Sequence, residues 1–437
     1  MNQFIMKLFA WLIISVVIVG CSGEQVSHLS AVAVPGIHTP DRDLDRATLL
    51  GYTLAYCWRS PETGAFGDQR TDVIISQGDG SRPVTITFPI QGTQSIVSLG
   101  CFGRGNSFRM GGYGLAWRPK HSQLTMVSAA SGPPGDHFFF VNIQDTHIAE
   151  LPPSTRWEHE KYFFHPNGLS WSLSGEQLAT LAEDADGFYR QNIWVYNPDM
   201  DTGVRVTDVR QFPTYVENAV WNSGGDLLAI NYGAERSGVG IFRLSDSSSI
   251  EVSNRNQTLL AAWPYRLGET LEPQELLQSY LASSSKPVWA AGDQQIIFVA
   301  PTFAQRLALF VVNADGTNLQ ELLPELPGLV GLPVLAPNGD RLAFVRYPGW
   351  DAKDRAEVVV VDMNTKSITS LAVLPASPTG DELFISGLDW TPDGKYLAFS
   401  SNHEGESEIY VIFADGQAWL NLTALTGGDA VNPVWRP

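Results

Sequence analysis

Leu388-Asp389-Trp390-Thr391-Pro392-Asp393-Gly394 is followed by Tyr396-Leu397-Ala398-Phe399-Ser400-Ser401, then Glu408-Ile409-Tyr410-Val411-Ile412, Ala414-Asp415-Gly416 and Leu420-Asn421-Leu422-Thr423. A short strand ends in Trp, a Pro-Asp-Gly turn reverses the chain, and two β-rich runs too short for helices lead through Asp-Gly to a last strand. Both middle runs are apolar at successive positions, so both of their faces are expected to be buried.

The same unit recurs, and internal repetition outweighs local propensity as evidence. Weaker copies begin at Trp117, Trp171, Trp221, Trp289 and Leu335. Their second and third strands include Leu124-Thr125-Met126-Val127 with Phe138-Phe139-Phe140-Val141, and Leu342-Ala343-Phe344-Val345 with Val358-Val359-Val360-Val361. Steps of about 46 to 68 residues suit a four-stranded blade with loops of varying length, and such blades stack into a β-propeller. Complete blades are expected to start near residues 113, 168, 218, 286, 332 and 387. The chain ends in Asn432-Pro433-Val434-Trp435, a first strand with nothing after it. Its missing strands are expected at the other end: Thr53 to Trp58, Asp72 to Ser76, and Val84 to Phe88. A blade shared between 47–88 and 430–437 closes the ring and removes exposed strand edges. The expectation is an all-β propeller of seven four-stranded blades over 47–437; six blades plus a small N-terminal domain is the alternative.

The repeat resembles that of TolB-type propellers, whose signature is a Trp-Ser-Pro-Asp-Gly-Lys turn, an Ile-Ala-Phe strand, an Ile-Tyr-Val strand, Asp-Gly and Leu-Thr. The resemblance implies a binding role in a bacterial cell envelope. It also implies six blades behind an α/β domain, from which the count here departs.

Across 437 residues, 44% are hydrophobic and only 17% charged, with 40 Gly and 27 Pro, a composition suited to short strands and tight turns. A net charge of -18 lacks the basic footprint of a nucleic-acid binder, so no nucleic-acid partner is expected. At the start, Lys7 precedes an apolar run from Leu8 to Val19 that closes on Ile18-Val19-Gly20-Cys21. This pattern resembles a bacterial lipobox: 1–20 reads as a signal peptide, Cys21 as a lipidated first residue, and 21–46 as a tether. Ser22 after the cysteine implies the outer membrane facing the periplasm in a two-membrane bacterium, with the extracellular face of the membrane as the alternative. Cys57 and Cys101 are candidates for a disulfide in an oxidising exterior.

Alternating strands place the first-to-second and third-to-fourth turns on one face, where they are short. The other connections carry the long insertions, and binding residues concentrate on such loops. That face is nominated through Trp157, His159, Tyr162 and His165, through Trp263, Tyr265 and Arg266, through Trp350 and Asp351, and through His403 and Glu404. No Gly-x-Ser-x-Gly elbow, zinc-protease spacing, paired-cysteine site, phosphate loop or dinucleotide fingerprint occurs, so no catalytic motif, metal site or cofactor is expected. The repeats run to the last strand, so no peptidase domain is expected. The expected function is a binding or scaffold platform for protein, peptide or envelope polysaccharide. A metal-assisted polysaccharide lyase or hydrolase using His137, His159, His165 and His403 is the enzymatic alternative.

Overall fold

The computed structural model describes residues 42–63, 69–86, 97–99, 114–130, 137–150, 164–183, 191–200, 202–206, 215–233, 238–245, 248–251, 285–302, 306–349, 355–424 and 426–437. They form seven sheets, each containing a four-stranded antiparallel meander, and so a seven-bladed propeller. Inner strands of the six complete blades are Leu115–Trp117, Phe164–Trp171, Tyr215–Trp221, Val288–Ala290, Leu329–Leu335 and Ile385–Trp390. Two sheets carry a fifth strand: Val97–Leu99 joins the blade of Trp117, and Arg42–Asp43 joins that of Trp390. The seventh inner strand, Asp429–Trp435, lies antiparallel to Thr53–Thr63, with Leu54 opposite Trp435 and Ala55 opposite Val434. Gln69–Gln77 and Val84–Ile86 complete this shared blade. Arg59 and Asp429, joined at 2.8 Å, brace its far end.

Strands with two buried faces need cover on both, and neighbouring blades supply it. The apolar core divides into clusters that straddle junctions between blades. Val345, Val358 and Tyr347 pack with Trp390, Phe399 and Tyr410 in one, and Leu54, Tyr56 and Trp435 with Tyr396, Ala398 and Val411 in another. Each fully buried Val, Leu or Phe contributes about 1.5–3 kcal/mol relative to exposure, so stability is spread around the ring.

A Trp stands at or next to the end of six of the seven inner strands, and five of these six indoles donate a hydrogen bond across the junction at which they pack. Indole Nε1 of Trp117, Trp221, Trp289 and Trp390 reaches the carbonyl oxygen of Val434, Ser170, Val220 and Val334, at 3.0, 3.0, 2.9 and 3.2 Å. Each acceptor lies on the preceding blade, one residue before the position equivalent to the Trp. Trp171 bonds the Thr125 hydroxyl instead, and Trp435 Nε1 has no partner among the described residues. Close approach of inner strands also demands glycine. A Cβ on Gly387, at φ +64°, would sit 2.6 Å from Asn432 Cα of the next blade.

The propeller begins slightly earlier than expected. Residues 42–46 were assigned to the tether, yet Arg42 and Asp43 pair in parallel with Ala418 and Trp419 on an outer edge. Leu44 is buried beside that edge, and Arg46 donates to the carbonyls of Asp79 and Asn421. A Leu and an Arg among polar residues gave no periodicity to read, but an open strand edge captures even two residues of backbone. The signal-peptide and lipidation segment, 1–20 with Cys21, lies outside the described residues.

The indole bonds make a direct prediction. Trp221 and Trp435 are similarly buried, at 6% and 4% exposure, and differ in whether the indole N–H is bonded. Trp221→Phe strands the Ser170 carbonyl and should cost about 1–3 kcal/mol more than Trp435→Phe, measured by denaturant unfolding.

Candidate functional site

Inner strands line the axis of the disc, so their equivalent positions can be compared blade by blade. Counting back one residue from each terminal Trp, or from Leu335, gives Ala116, Ser170, Val220, Val288, Val334, Asp389 and Val434. Counting back three gives Gly114, Gly168, Asn218, Lys286, Leu332, Gly387 and Asn432. Each series holds one charged residue among neutral ones.

Lys286 and Asp389 both line a cavity of about 400 Å³ with Trp117, Pro337, Trp390, Pro392 and Val434. Pro337 and Pro392 begin first-to-second-strand turns, so this cavity lies toward the short-turn end of the bore. The Lys286 ammonium donates to the Leu169 carbonyl at 3.2 Å, reaching past the intervening blade of Trp221. The Asp389 carboxylate accepts from the Trp435 backbone N–H at 2.6 Å, tying the penultimate inner strand to the closing one. Both charged residues are half-buried, and the accessible part belongs to the cavity wall. Burial pushes the Asp389 carboxyl up to about 7, against the opposing pull of the Trp435 and Trp390 N–H groups and Lys286. Burial likewise pushes the Lys286 amine down to about 8, opposed by attraction to Asp389.

The short-turn face is braced from blade to blade. Arg118 Nε donates to Gly175 O at 2.6 Å, and its guanidinium lies 5.1 Å from the Trp171 ring. Arg341 repeats this on the next-but-three junction, with Nη2 2.8 Å from Gly394 O and the guanidinium 5.2 Å from the Trp390 ring. Ser223 N–H donates to Asp293, and Tyr52 O–H donates to Asp393 at 2.8 Å. Salt-bridged and hydrogen-bonded by Lys395, Tyr52 and Thr391, Asp393 is held well below the usual carboxylate range despite the opposing effect of burial.

Of the nominated loop-face residues, His403 and Glu404 are described with their side chains. His403 is buried against Tyr410 and Trp419, with ring centroids 4.7 and 5.8 Å away, and its Nδ1 lies 3.2 Å from the Ser401 hydroxyl. Burial lowers its pKa, opposed by Glu404. Glu404 accepts from Tyr410 O–H at 2.8 Å and from Asn421 Nδ2 at 3.2 Å. His403 thus belongs to a small aromatic cluster beneath its own loop, with Tyr410 and Trp419 from the adjacent strands, while Glu404 is exposed. His165 lies in the inner strand Phe164–Trp171, with its backbone opposite Leu181. Trp157, His159, Tyr162, Trp263, Tyr265, Arg266, Trp350 and Asp351 lie outside the described residues. Cys57 is fully buried and disulfide-bonded, while Cys101 lies outside the described residues. Among the described residues, no group of three or more His, Cys, Asp or Glu is placed to hold a metal ion, and no helix is long and apolar enough to cross a membrane.

Sequence reading missed Lys286 and Asp389. In the sequence alone Asp389 reads as part of the repeat motif and Lys286 as the expected start of a blade. The signal was present in the repeat register, where a charge stands against six neutral equivalents.

No protein-family model matches the sequence. Among solved structures, the chain is similar to the propeller domain of the trilobed protease from Pyrococcus furiosus, at 10% identity and a TM-score of 0.52, over 86% of this chain and 95% of that one. That domain has an open velcro topology, whereas here the terminal strands pair. A prolyl endopeptidase is similar at 12% identity and a TM-score of 0.54, over 86% of this chain and 51% of that one, so this chain spans about half its length. TolB from Acinetobacter baumannii matches at 10% identity and a TM-score of 0.46, over 91% of this chain and 88% of that one. What the two structures with the higher scores share with this chain is the propeller fold.

The charged pair gives stability a specific pH profile. Between about pH 4 and 7 the folded state keeps the Asp389 proton that the unfolded chain has lost, so stability falls as pH rises. Between about pH 8 and 10.5 the unfolded chain holds the Lys286 proton that the folded state has lost, so stability rises with pH. The pair therefore contributes a minimum near pH 7–8, where both groups are charged. In denaturant titrations across pH, Asp389→Asn should remove the falling limb and Lys286→Met the rising one.

Proposed function

We propose that this chain is a lipid-anchored cell-envelope protein whose propeller is a binding platform for protein, peptide or envelope polysaccharide, working without covalent chemistry. One observation carries the reading: the short-turn face is taken up by contacts from blade to blade. The short-turn face is cross-braced between blades by Arg118, Arg341, Asp293 and Asp393. The sequence expects the long insertions on the opposite face, and loops on a rigid scaffold are where recognition concentrates. Anchoring through Cys21 supplies the location, and more than one acyl chain gives stable membrane attachment. Ser22 favours the outer membrane, facing the periplasm.

Two measurements test the parts separately. Cys21→Ser should abolish incorporation of labelled palmitate and release the chain from the membrane pellet; unchanged fractionation would remove the lipid anchor. A photoreactive phenylalanine at Trp263 or Trp350 should give discrete cross-linked species in intact cells, and the same group at Met200, exposed on the short-turn face, should not. Adducts from Met200 alone would overturn the choice of face. Metal-dependent depolymerisation of an envelope polysaccharide, lost in His159→Ala and His165→Ala, would replace the platform with the lyase or hydrolase reading.

A further inference from the structure

One inner strand of the ring is built from two pieces. In three blades the inner strand leaves its ladder at mid-height for two residues, Leu332-Pro333, Gly387-Leu388 and Asn432-Pro433, and then rejoins it. In the blade of Trp117 the same place holds residues 100–114: Leu99 pairs with Ser128, and the ladder resumes with Leu115 opposite Met126. The upper piece, Val97–Leu99, is three residues long and lies beside Gln69–Gln77 of the shared blade. Cys57 stands at this level. Counting from the residues opposite each inner Trp, Leu54 and Leu124, Cys57 is equivalent to Val127, the position between Met126 and Ser128 where the chain departs. Side chains alternate along the strand: Ala55 and Cys57 pack toward the blade of Trp117 with Leu115, Leu124 and Met126, whereas Leu54 and Tyr56 pack toward the blade of Trp390.

Cys57 is fully buried and disulfide-bonded, and the sequence offers it two partners, Cys21 and Cys101. Cys101 follows Leu99 by two residues, so chain length keeps their Cα atoms within about 7 Å of each other, and a disulfide joins Cα atoms about 4.4–6.8 Å apart. The chain that descends from Cys21 instead meets the disc at Arg42, on the outer edge of the blade of Trp390, and Leu44 and Leu49 pack on the opposite side of the shared blade from Cys57. We infer that Cys57 is bridged to Cys101, and that this bridge is the staple holding Val97–Leu99 as the upper half of an inner strand. Three residues of backbone pairing fix a strand weakly when the chain departs at once, and a covalent link to a buried residue of the neighbouring blade removes that freedom. Forming the bond joins the two Sγ atoms and passes two electrons and two protons to the disulfide of a thiol oxidant, so the bridge forms in an oxidising compartment. This holds whether or not Cys21 carries lipid.

The first test uses the unaltered full-length chain, alkylated under denaturing conditions before any reduction and then digested with trypsin. Peptides 47–59 and 71–104, which carry Cys57 and Cys101, should be found by mass spectrometry as one linked species that separates on reduction. Alkylated Cys57, or Cys57 linked to Cys21, would overturn the pairing. The second test follows hydrogen exchange with and without the bridge. In Cys101→Ser, and in the unaltered chain reduced before exchange, amides of 97–99 and 128–130 should exchange at least about tenfold faster, while those of the blade of Trp390 keep their rate. Equal exchange at 97–99 with and without the bridge, or acceleration spread over every blade, would overturn the staple.

Discussion

The antiparallel pairing of Asp429–Trp435 with Thr53–Thr63 is the constraint from which the rest of the molecule follows. Without it two blades would present open edges and the clusters around Leu54, Tyr56 and Trp435 would lose one wall. A propeller has no single centre to fall back on. Each apolar cluster belongs to a junction, so a break at one junction also uncovers its neighbours. The ladder does not hold the closing strand alone: Arg59 meets Asp429 at one end, and Arg436 reaches Ser122 of the following blade at 3.1 Å. The sequence places its last strand where it is gripped from both sides.

Repetition explains both what the molecule needs and what it merely tolerates. The Trp indoles reach equivalent carbonyls across several junctions, a bond that each blade can reuse because its geometry is set by the same strand end. Leu335 stands where a Trp would be, so its junction lacks the donor. Trp435 has the indole, but the residue behind it in the preceding blade is Asp389, and there the carboxylate takes the backbone N–H of Trp435 instead. The irregular junction and the charged bore are thus one feature, seen from the wall and from the axis.

The blades were legible in the sequence because their signal is coarse and repeated. Apolar runs such as Val358 to Val361 and the Trp at or next to the end of six of the seven inner strands survive wide variation in loop length. Even the shared blade could be read, since Val434 and Ala55 belong to fragments that complement each other. Inner strands begin at Leu115, Phe164 and Ile385 among others, and bulges interrupt their registers, as between Ser386 and Asp389. Function was less legible. His403 looked like a loop residue free to make contacts, because nothing in its own segment shows that Tyr410 and Trp419 close over it. Lys286 and Asp389 are about a hundred positions apart, and only the ring brings their side chains to one cavity.

That separation bears on how a closed disc acquires a site. Strands that are apolar on both faces have no side-chain positions to spare, since each contributes to a junction. Axial positions differ: they also face their counterparts on other blades across a bore. Ala116, Val220, Val334 and Val434 show that small neutral residues are sufficient for closure. A charge at one such position is costly by itself, because the bore is confined and its walls are largely hydrocarbon. An opposite charge on another blade offsets part of that cost, since the attraction between Lys286 and Asp389 opposes the effect of burial on each.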